Sequence, residues 1–306
     1  MRPQIRPLSQ FWSNTLKAPR NQAVNRWPRC LSSNANHVEL AHDEFLPSDG
    51  NRTDRPLIIL HGFFGSKRNW QSLSKAFMRD LGRPVYTLDL RNHGSSPHVR
   101  PMTYSHMASD ILSFCQERSL TNVALMGHSM GGKVAMSLAL NPELPSGLLA
   151  DLIVSDIAPV RASIAADTVR HIEAMERIEA SGVSTRKEAD SILAEYEADA
   201  SVRAFLLTNV DGTSKSSHLK FKIPLDILKE GRPEIESFPY APGERTWEGH
   251  TLFVKGSKSK FINHKNIPLI RQFFPSALLE ELDTNHWVHA EKPNEYRNLI
   301  TDFITQ

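Results

Sequence analysis

One segment constrains this chain more than any other. The apolar run from Asn122 to Met126 leads into Gly127-His128-Ser129-Met130-Gly131-Gly132, and a helix-forming stretch from Lys133 to Leu140 leads out. Strand, sharp turn and helix in that order put a serine at the apex, in strained backbone geometry that lifts its hydroxyl clear of the sheet edge. Gly127 and Gly131 fall where strand and helix pass so close that a Cβ would clash. Gly-x-Ser-x-Gly alone is a weak signal. The strand before it and the helix after it are the context the motif requires.

The rest of the chain alternates in the same way. Val38-Glu39-Leu40 gives a weak early strand signal, and Pro56 to Gly62 reads as a buried strand. Trp70 to Leu81 is predicted as a helix, with Trp70, Leu73, Phe77 and Leu81 on one face. Pro84 to Leu90, Tyr104 to Gln116 and Leu149 to Val154 continue as strand, helix and strand. After Pro159 the rhythm breaks. Helices are predicted over Asp167–Ala180, Thr185–Ala198 and Val202–Thr208, and no strand pattern is visible to about Glu248. Residues of about 160–248 therefore read as a helical cap inserted over the strand ends, not as a separate folding domain. Leu252-Phe253-Val254 restores the sheet, followed by a helix over Ile267–Phe274, a last strand over Leu278–Leu282 and a closing helix over Asn294–Ile304. The expectation is an α/β fold with a mainly parallel sheet flanked by helices. Its ligand site belongs beyond the carboxyl ends of the strands, where His61, Asp89, Ser129 and Asp156 all fall.

The N-terminal segment stands apart. Residues 1–31 hold six basic side chains and no acid, and the first acid is Glu39. Ile5, Leu8, Phe11, Trp12 and Leu16 recur at roughly helical spacing, without the continuous apolar core of a secretory signal. This is the composition of a mitochondrial transit peptide over 1–36, with maturation expected near Leu31/Ser32 after Arg29 and a matrix location. Taking those six from the chain's 36 basic residues leaves 30 against 34 acidic ones, so the body over 37–306 is not a basic, nucleic-acid-binding one. No apolar run reaches the ~18 residues of a transmembrane span. Two cysteines, Cys30 and Cys115, form neither a disulfide framework nor a zinc motif.

A serine hydroxyl needs a base within hydrogen-bond reach and a third group to fix that base's tautomer. On a fold of this kind the order along the chain is serine, acid, histidine. His286 follows the last predicted strand, three residues after Asp283. His289 lies further on, near the closing helix, and reads as a supporting or surface residue. The loop after the penultimate strand, Lys255 to Asn263, is where the acid is usually found, but it holds three lysines and no carboxylate. Asp156, one strand after the nucleophile, is then the candidate acid; the competing role for it is a turn cap ahead of Ala158-Pro159. The oxyanion donors are expected to be the backbone N–H groups of Met130 and, from the His61–Phe64 turn, Phe63. His61 is expected to hold that turn, Asp89, Arg91 and His93 to form a polar brace, and Lys133 to be a pairing partner. His128 has no assigned role. Metal, nucleotide and flavin motifs are absent, so no cofactor is expected.

His61-Gly62-Phe63-Phe64-Gly65-Ser66, Asp89-Leu90-Arg91-Asn92-His93-Gly94, Gly127-His128-Ser129-Met130-Gly131-Gly132-Lys133, Ser155-Asp156-Ile157-Ala158-Pro159 and His286-Trp287-Val288-His289 together resemble one subfamily of the α/β-hydrolases. It includes mitochondrial abhydrolase-domain proteins of the domain-11 type, small bacterial esterases and fungal ethanol acetyltransferases. The resemblance runs from about residue 37 to the end and is weakest in the cap. It implies that Asp156 is the triad acid. It also implies hydrolysis of an ester or thioester through an acyl-serine, or the same acyl-enzyme resolved by an alcohol, with acetyl-CoA or another acyl-CoA as donor. A non-catalytic binding protein on the same fold is the third reading.

Overall fold

The computed structural model describes residues 37–161, 166–212 and 217–306. The transit peptide expected at 1–36 lies outside the described residues. The chain runs β1 (His42–Phe45), β2 (Leu57–Leu60), a 3-10 turn (Lys67–Trp70), α1 (Gln71–Leu81), β3 (Val85–Leu88), α2 (Tyr104–Glu117), β4 (Val123–His128), α3 (Met130–Ala139) and β5 (Leu149–Ser155). Five helices follow: α4 (Ala166–Ser181), α5 (Arg186–Leu193), α6 (Ala200–Leu207), α7 (Leu225–Glu230) and α8 (Arg232–Glu236). Then come β6 (His250–Gly256), α9 (Ile267–Phe273), β7 (Leu278–Leu282), α10 (Val288–Glu291) and α11 (Pro293–Thr305). The sheet order is β1-β3-β2-β4-β5-β6-β7, with β1 antiparallel to β3 and the other pairs parallel.

A parallel strand covered on both faces reads as an unbroken apolar run, and β2 and β4 do so. The two faces still alternate. Ile58, Leu60 and Leu125 pack on one side with α2, α3 and the cap. Leu57, Ile59, Ala124 and Met126 pack on the other, with Trp70, Phe77 of α1 and Tyr296, Ile300 and Phe303 of α11. Each such side chain taken out of water is worth about 1.5–3 kcal/mol. The helix ends follow local chemistry. Gly82 closes α1 with φ 60 and its N–H on the Met78 carbonyl, and the Thr103 hydroxyl caps α2.

Register then fixes the site. His128 of β4 pairs with Ser155 of β5, so the next residue of each strand, Ser129 and Asp156, leaves the sheet at the same level. Both take a positive φ there, 52° and 50°. The close approach behind Ser129 is severe: a Cβ on Gly127 would sit 2.2 Å from the Gly131 carbonyl oxygen, and one on Gly131 2.5 Å from that of His61.

Some elements differ from expectation. The Val38 N–H goes to Asp110 Oδ1 at 2.9 Å, so pairing starts later, at His42. Helix α3 begins at Met130, three residues before the expected Lys133, and so takes in Gly131 and Gly132, where a Cβ would sit 2.5 Å from the His61 carbonyl oxygen and 2.7 Å from Ile157 Cγ2. The helix expected over 185–198 stops at Leu193. Asp199 takes the Ser201 N–H at 2.7 Å, and that cap starts α6 as a new helix. Helices α7 and α8 have too few residues, with Gly231 and Pro233 between and within them, to show a period.

The polar brace also divides. Asp89 accepts the Lys67 N–H and Nζ, both at 2.7 Å, and the Ser95 N–H at 2.8 Å. Arg91 instead forms a two-bond pair with Asp110, both contacts at 2.7 Å, with neither side chain exposed. His93 bonds the Arg91 carbonyl through Nδ1. Removing one member of a buried pair strands the other charge. Asp110→Ala is therefore expected to cost about 3–5 kcal/mol, read as a lower midpoint in urea denaturation.

Candidate active site

Ser129 sits between β4 and α3 at φ 52 and ψ −117, a geometry that costs a non-glycine residue of order 1–3 kcal/mol. The turn places it on the wall of a cavity of about 720 Å³, together with His286, Phe63 and Met130. Asp156, wholly buried, does not line the cavity but reaches it through His286. His286 Nδ1 donates to Asp156 Oδ2 at 2.7 Å. The carboxylate is held from behind by the Gly256 N–H on Oδ1, at 3.0 Å, and by the Ser259 hydroxyl on Oδ2. Gly256 is the last residue of β6 and Ser259 lies in the loop that follows, the one without a carboxylate. With Nδ1 committed to Asp156, His286 presents Nε2 as its free basic nitrogen. Its ring lies on Phe261, centroids 4.1 Å apart.

Met130 is the first residue of α3, so its N–H has no intrahelical acceptor and points out of the helix end. Phe63 lies in the turn closed by the Gly65 N–H on the Gly62 carbonyl at 2.9 Å, with Phe64 at φ 61. His61 holds this turn. Its Nδ1–H donates to the Gly62 carbonyl at 2.8 Å, and its Nε2 accepts the Leu90 N–H at 3.0 Å. The cap grips the same turn from above, where Asn209 Nδ2 donates to the Phe64 carbonyl at 2.8 Å.

Three residues near the serine depart from their sequence reading. His128 is buried, and its Nε2–H donates to the His286 carbonyl at 3.0 Å, tying the loop that carries the candidate base to the nucleophile strand. Burial, then the neighbouring His289 and His286, hold it well below the ordinary histidine value. His289 is not at the surface. It stacks on Trp70 at 4.1 Å and 15° and meets the His128 ring edge-on. Among the described residues Lys133 forms no ion pair with a carboxylate; its Nζ donates to the Ser237 carbonyl at 2.8 Å, linking α3 to the cap. Burial brings its amine down to about 8.

The buried imidazoles make acid lability a testable property. Burial, and then the charge of His286, push His289 down to about 3; burial first of all does the same to His93. The unfolded chain, with histidine near 6.5, binds more protons than the folded one between about pH 6.5 and 3. Stability is thus fully present above about 6.5 and is lost as pH falls, by up to ~1.4 kcal/mol per pH unit for each ring. His289→Phe keeps the flat face against Trp70, and the His289 Nδ1 has no partner to lose. Its unfolding free energy in urea titrations is expected to fall less than the wild type's between pH 7 and pH 5, by roughly 1–2 kcal/mol; equal losses would clear His289 of this role.

A parallel sheet of this order, with a serine at a strained strand-to-helix turn beside a histidine–carboxylate pair, defines an enzyme of the α/β-hydrolase type. Comparison with known proteins agrees. The family described as alpha/beta hydrolase fold matches residues 55–159. The sn-1-specific diacylglycerol lipase ABHD11 of Xenopus tropicalis is 35% identical over 87% of this chain and 82% of its own. A Saccharomyces cerevisiae protein bearing the name "Probable alcohol acetyltransferase" is 39% identical over 87% of this chain and 81% of its own. The solved structure of a marine microorganism esterase superposes with a TM-score of 0.77 at 34% identity, covering 87% of this chain and 99% of that one. The chain belongs to the α/β-hydrolase family, in the branch of abhydrolase domain protein 11 and the fungal alcohol acetyltransferases.

Proposed function

We propose that the chain is a mitochondrial serine hydrolase that cleaves carboxylic esters or thioesters through an acyl-serine intermediate. The observation that carries this reading is the 2.7 Å bond from His286 Nδ1 to Asp156, made on the wall of the cavity that Ser129 also lines. Ser129 Oγ attacks the acyl carbon as its proton passes to His286 Nε2, and Asp156 stabilises the imidazolium. The tetrahedral oxyanion is received by the N–H groups of Phe63 and Met130, each such donor being worth roughly 3 kcal/mol. Collapse expels the alcohol or thiol with the proton from His286. Water, activated by the same histidine, then frees the acid. A fluorophosphonate probe tests this: the adduct is expected on the peptide containing Ser129, and an unlabelled protein or an adduct elsewhere would refute it.

A second reading resolves the same acyl-enzyme with an alcohol. It is favoured by the acetyltransferase name of one relative and by the aromatic lining of the cavity, which includes Phe63, Phe205, Phe261 and Trp287. With acetyl-CoA and ethanol supplied together, ethyl acetate as the main product supports transfer, and free acetate supports hydrolysis. The mitochondrial assignment rests on the basic, acid-free segment 1–31. Protein recovered from mitochondria is expected to begin near Ser32, and an intact Met1 would oppose it.

A further inference from the structure

Lys133 borders the cavity and takes no part in the reaction above. It is 3% exposed. Helical side chains lean toward the N-terminus of their helix, and α3 begins at the serine turn, so the stem of Lys133 rises toward the cavity. Its ammonium ends beside two other parts of the same wall, the Ile235 carbonyl at 3.4 Å from Nζ and the Tyr104 ring at 5.4 Å. The Ser237 carbonyl takes one N–H, and the Tyr104 hydroxyl is itself spent on the Ile235 carbonyl at 2.8 Å. Carbonyls satisfy hydrogen bonds but do not neutralise a charge, and a buried cation without a counter-ion is costly. The lowering of this amine to about 8 by burial is a sign of that cost. The carboxylate whose charge reaches it, that of Glu236, is turned to Arg232 at 3.8 Å. Carboxylates of the cavity wall have donors of their own, as Glu197 has His171 and Glu291 the Asn285 N–H, both at 2.9 Å. A side-chain amide would link α3 to the cap as well, without the charge.

We propose that the substrate supplies the missing anion: the preferred esters or thioesters carry a carboxylate, on the acyl or the leaving portion, and Lys133 binds it. This rests on the serine hydrolase reading. An ammonium has three protons to give, and the Ser237 and Ile235 carbonyls leave one for the ligand. A bond from it to a carboxylate is charge-assisted and roughly twice as strong as a neutral one. Lys133 donates its backbone N–H to the Ser129 carbonyl at 3.1 Å, so the two residues are one helical turn apart, ~6 Å along the axis. The carboxylate therefore belongs a few carbons from the scissile carbonyl, on a short chain.

The test sets propyl butyrate beside two analogues in which one terminal methyl is replaced by a carboxylate: monopropyl succinate, changed on the acyl portion, and 3-(butanoyloxy)propanoate, changed on the alcohol. At pH 7 the wild type is expected to favour one of the two acidic esters over propyl butyrate by about tenfold or more in kcat/KM, and the favoured one tells which portion carries the charge. Lys133→Gln keeps a donor for the Ser237 carbonyl and removes the charge. It is expected to erase the preference through KM for the acidic ester. Lys133→Arg keeps the charge and is expected to retain more of the preference than Lys133→Gln. A wild type that favours neither acidic ester, or a preference that survives in Lys133→Gln, would overturn the proposal. A fall of all three esters together in Lys133→Gln would also overturn it and mark a packing role against the cap. A protein that hydrolyses none of the three and takes no fluorophosphonate on Ser129 would overturn the serine hydrolase reading and this one with it. Labelling of Ser129 without a preference for either acidic ester would overturn this one alone.

Discussion

Ser129→Ala is expected to lower kcat for ester hydrolysis by about a million-fold while leaving the fold in place. Alanine carries the same Cβ as serine, so the backbone at φ 52 meets no strain that it did not already bear. The cavity offers no substitute at that position. Of the other hydroxyls on its wall, those of Thr168 and Ser201 belong to the cap, and that of Tyr104 donates to the Ile235 carbonyl at 2.8 Å. The donors at Phe63 and Met130 remain, and they account for a residual rate of roughly 10³–10⁴ over the uncatalysed reaction. The measurement is kcat with active-site-titrated wild type as reference, beside a thermal melt. A loss below a hundredfold would assign the nucleophile elsewhere. Ser129→Gly serves as a control for strain. It should be equally inactive yet more stable than Ser129→Ala, because glycine accepts a positive φ that costs other residues of order 1–3 kcal/mol.

How much of this could be read from the chain follows from the range of each interaction. The strands were legible because β2, β4 and β5 are covered on both faces, and that condition writes the unbroken apolar runs Leu57–Leu60, Val123–Met126 and Leu152–Val154. The positions of Ser129, Asp156 and His286 were legible for a related reason, since each follows a strand whose end could be located. The cap was legible only as helices. Its inner face is defined against a cavity and not against a continuous core, so His171 and Glu197, which line that cavity, carry no periodic signal. The residues that sequence reading left out act across long separations. His128 reaches the His286 carbonyl over 158 residues, Asn209 reaches Phe64 over 145, and Ser259 reaches Asp156 over 103. No local spacing encodes such contacts. One clue was present for Ser259: the loop that lacked a carboxylate still had hydroxyls to offer to one arriving from the neighbouring strand.

Asp156→Asn is expected to reduce kcat by about 10⁴ without unfolding the protein. Asparagine tolerates the left-handed backbone better than most residues, so φ 50 is no obstacle. The difficulty lies in the hydrogen bonds. The carboxylate accepts three: from Gly256 N–H on Oδ1, and from Ser259 and His286 on Oδ2. An amide that keeps its oxygen on Gly256 turns its NH₂ toward His286 Nδ1. That nitrogen must then accept, the ring proton moves to Nε2, and the nitrogen needed to receive the serine proton is already occupied. An amide flipped the other way keeps His286 in register but sets two donors, its own NH₂ and the Gly256 N–H, against each other in a site with no exposure. A buried donor left without an acceptor costs about 1–3 kcal/mol, so the first arrangement, with the wrong tautomer, prevails. Asp283 cannot take over. It is 72% exposed and held by Lys258 at 3.0 Å and Ser257 at 3.1 Å. The comparison that isolates the charge is Ser259→Ala, which removes one donor to the carboxylate but leaves the carboxylate itself, and which should cost no more than about tenfold, one hydrogen bond to a charged group at the lower end of its range. If Asp156→Asn instead retained kcat within tenfold of wild type across pH 6–9, the acid would have to be sought elsewhere, and His286 would be held by its stacking on Phe261 and its backbone tether to His128.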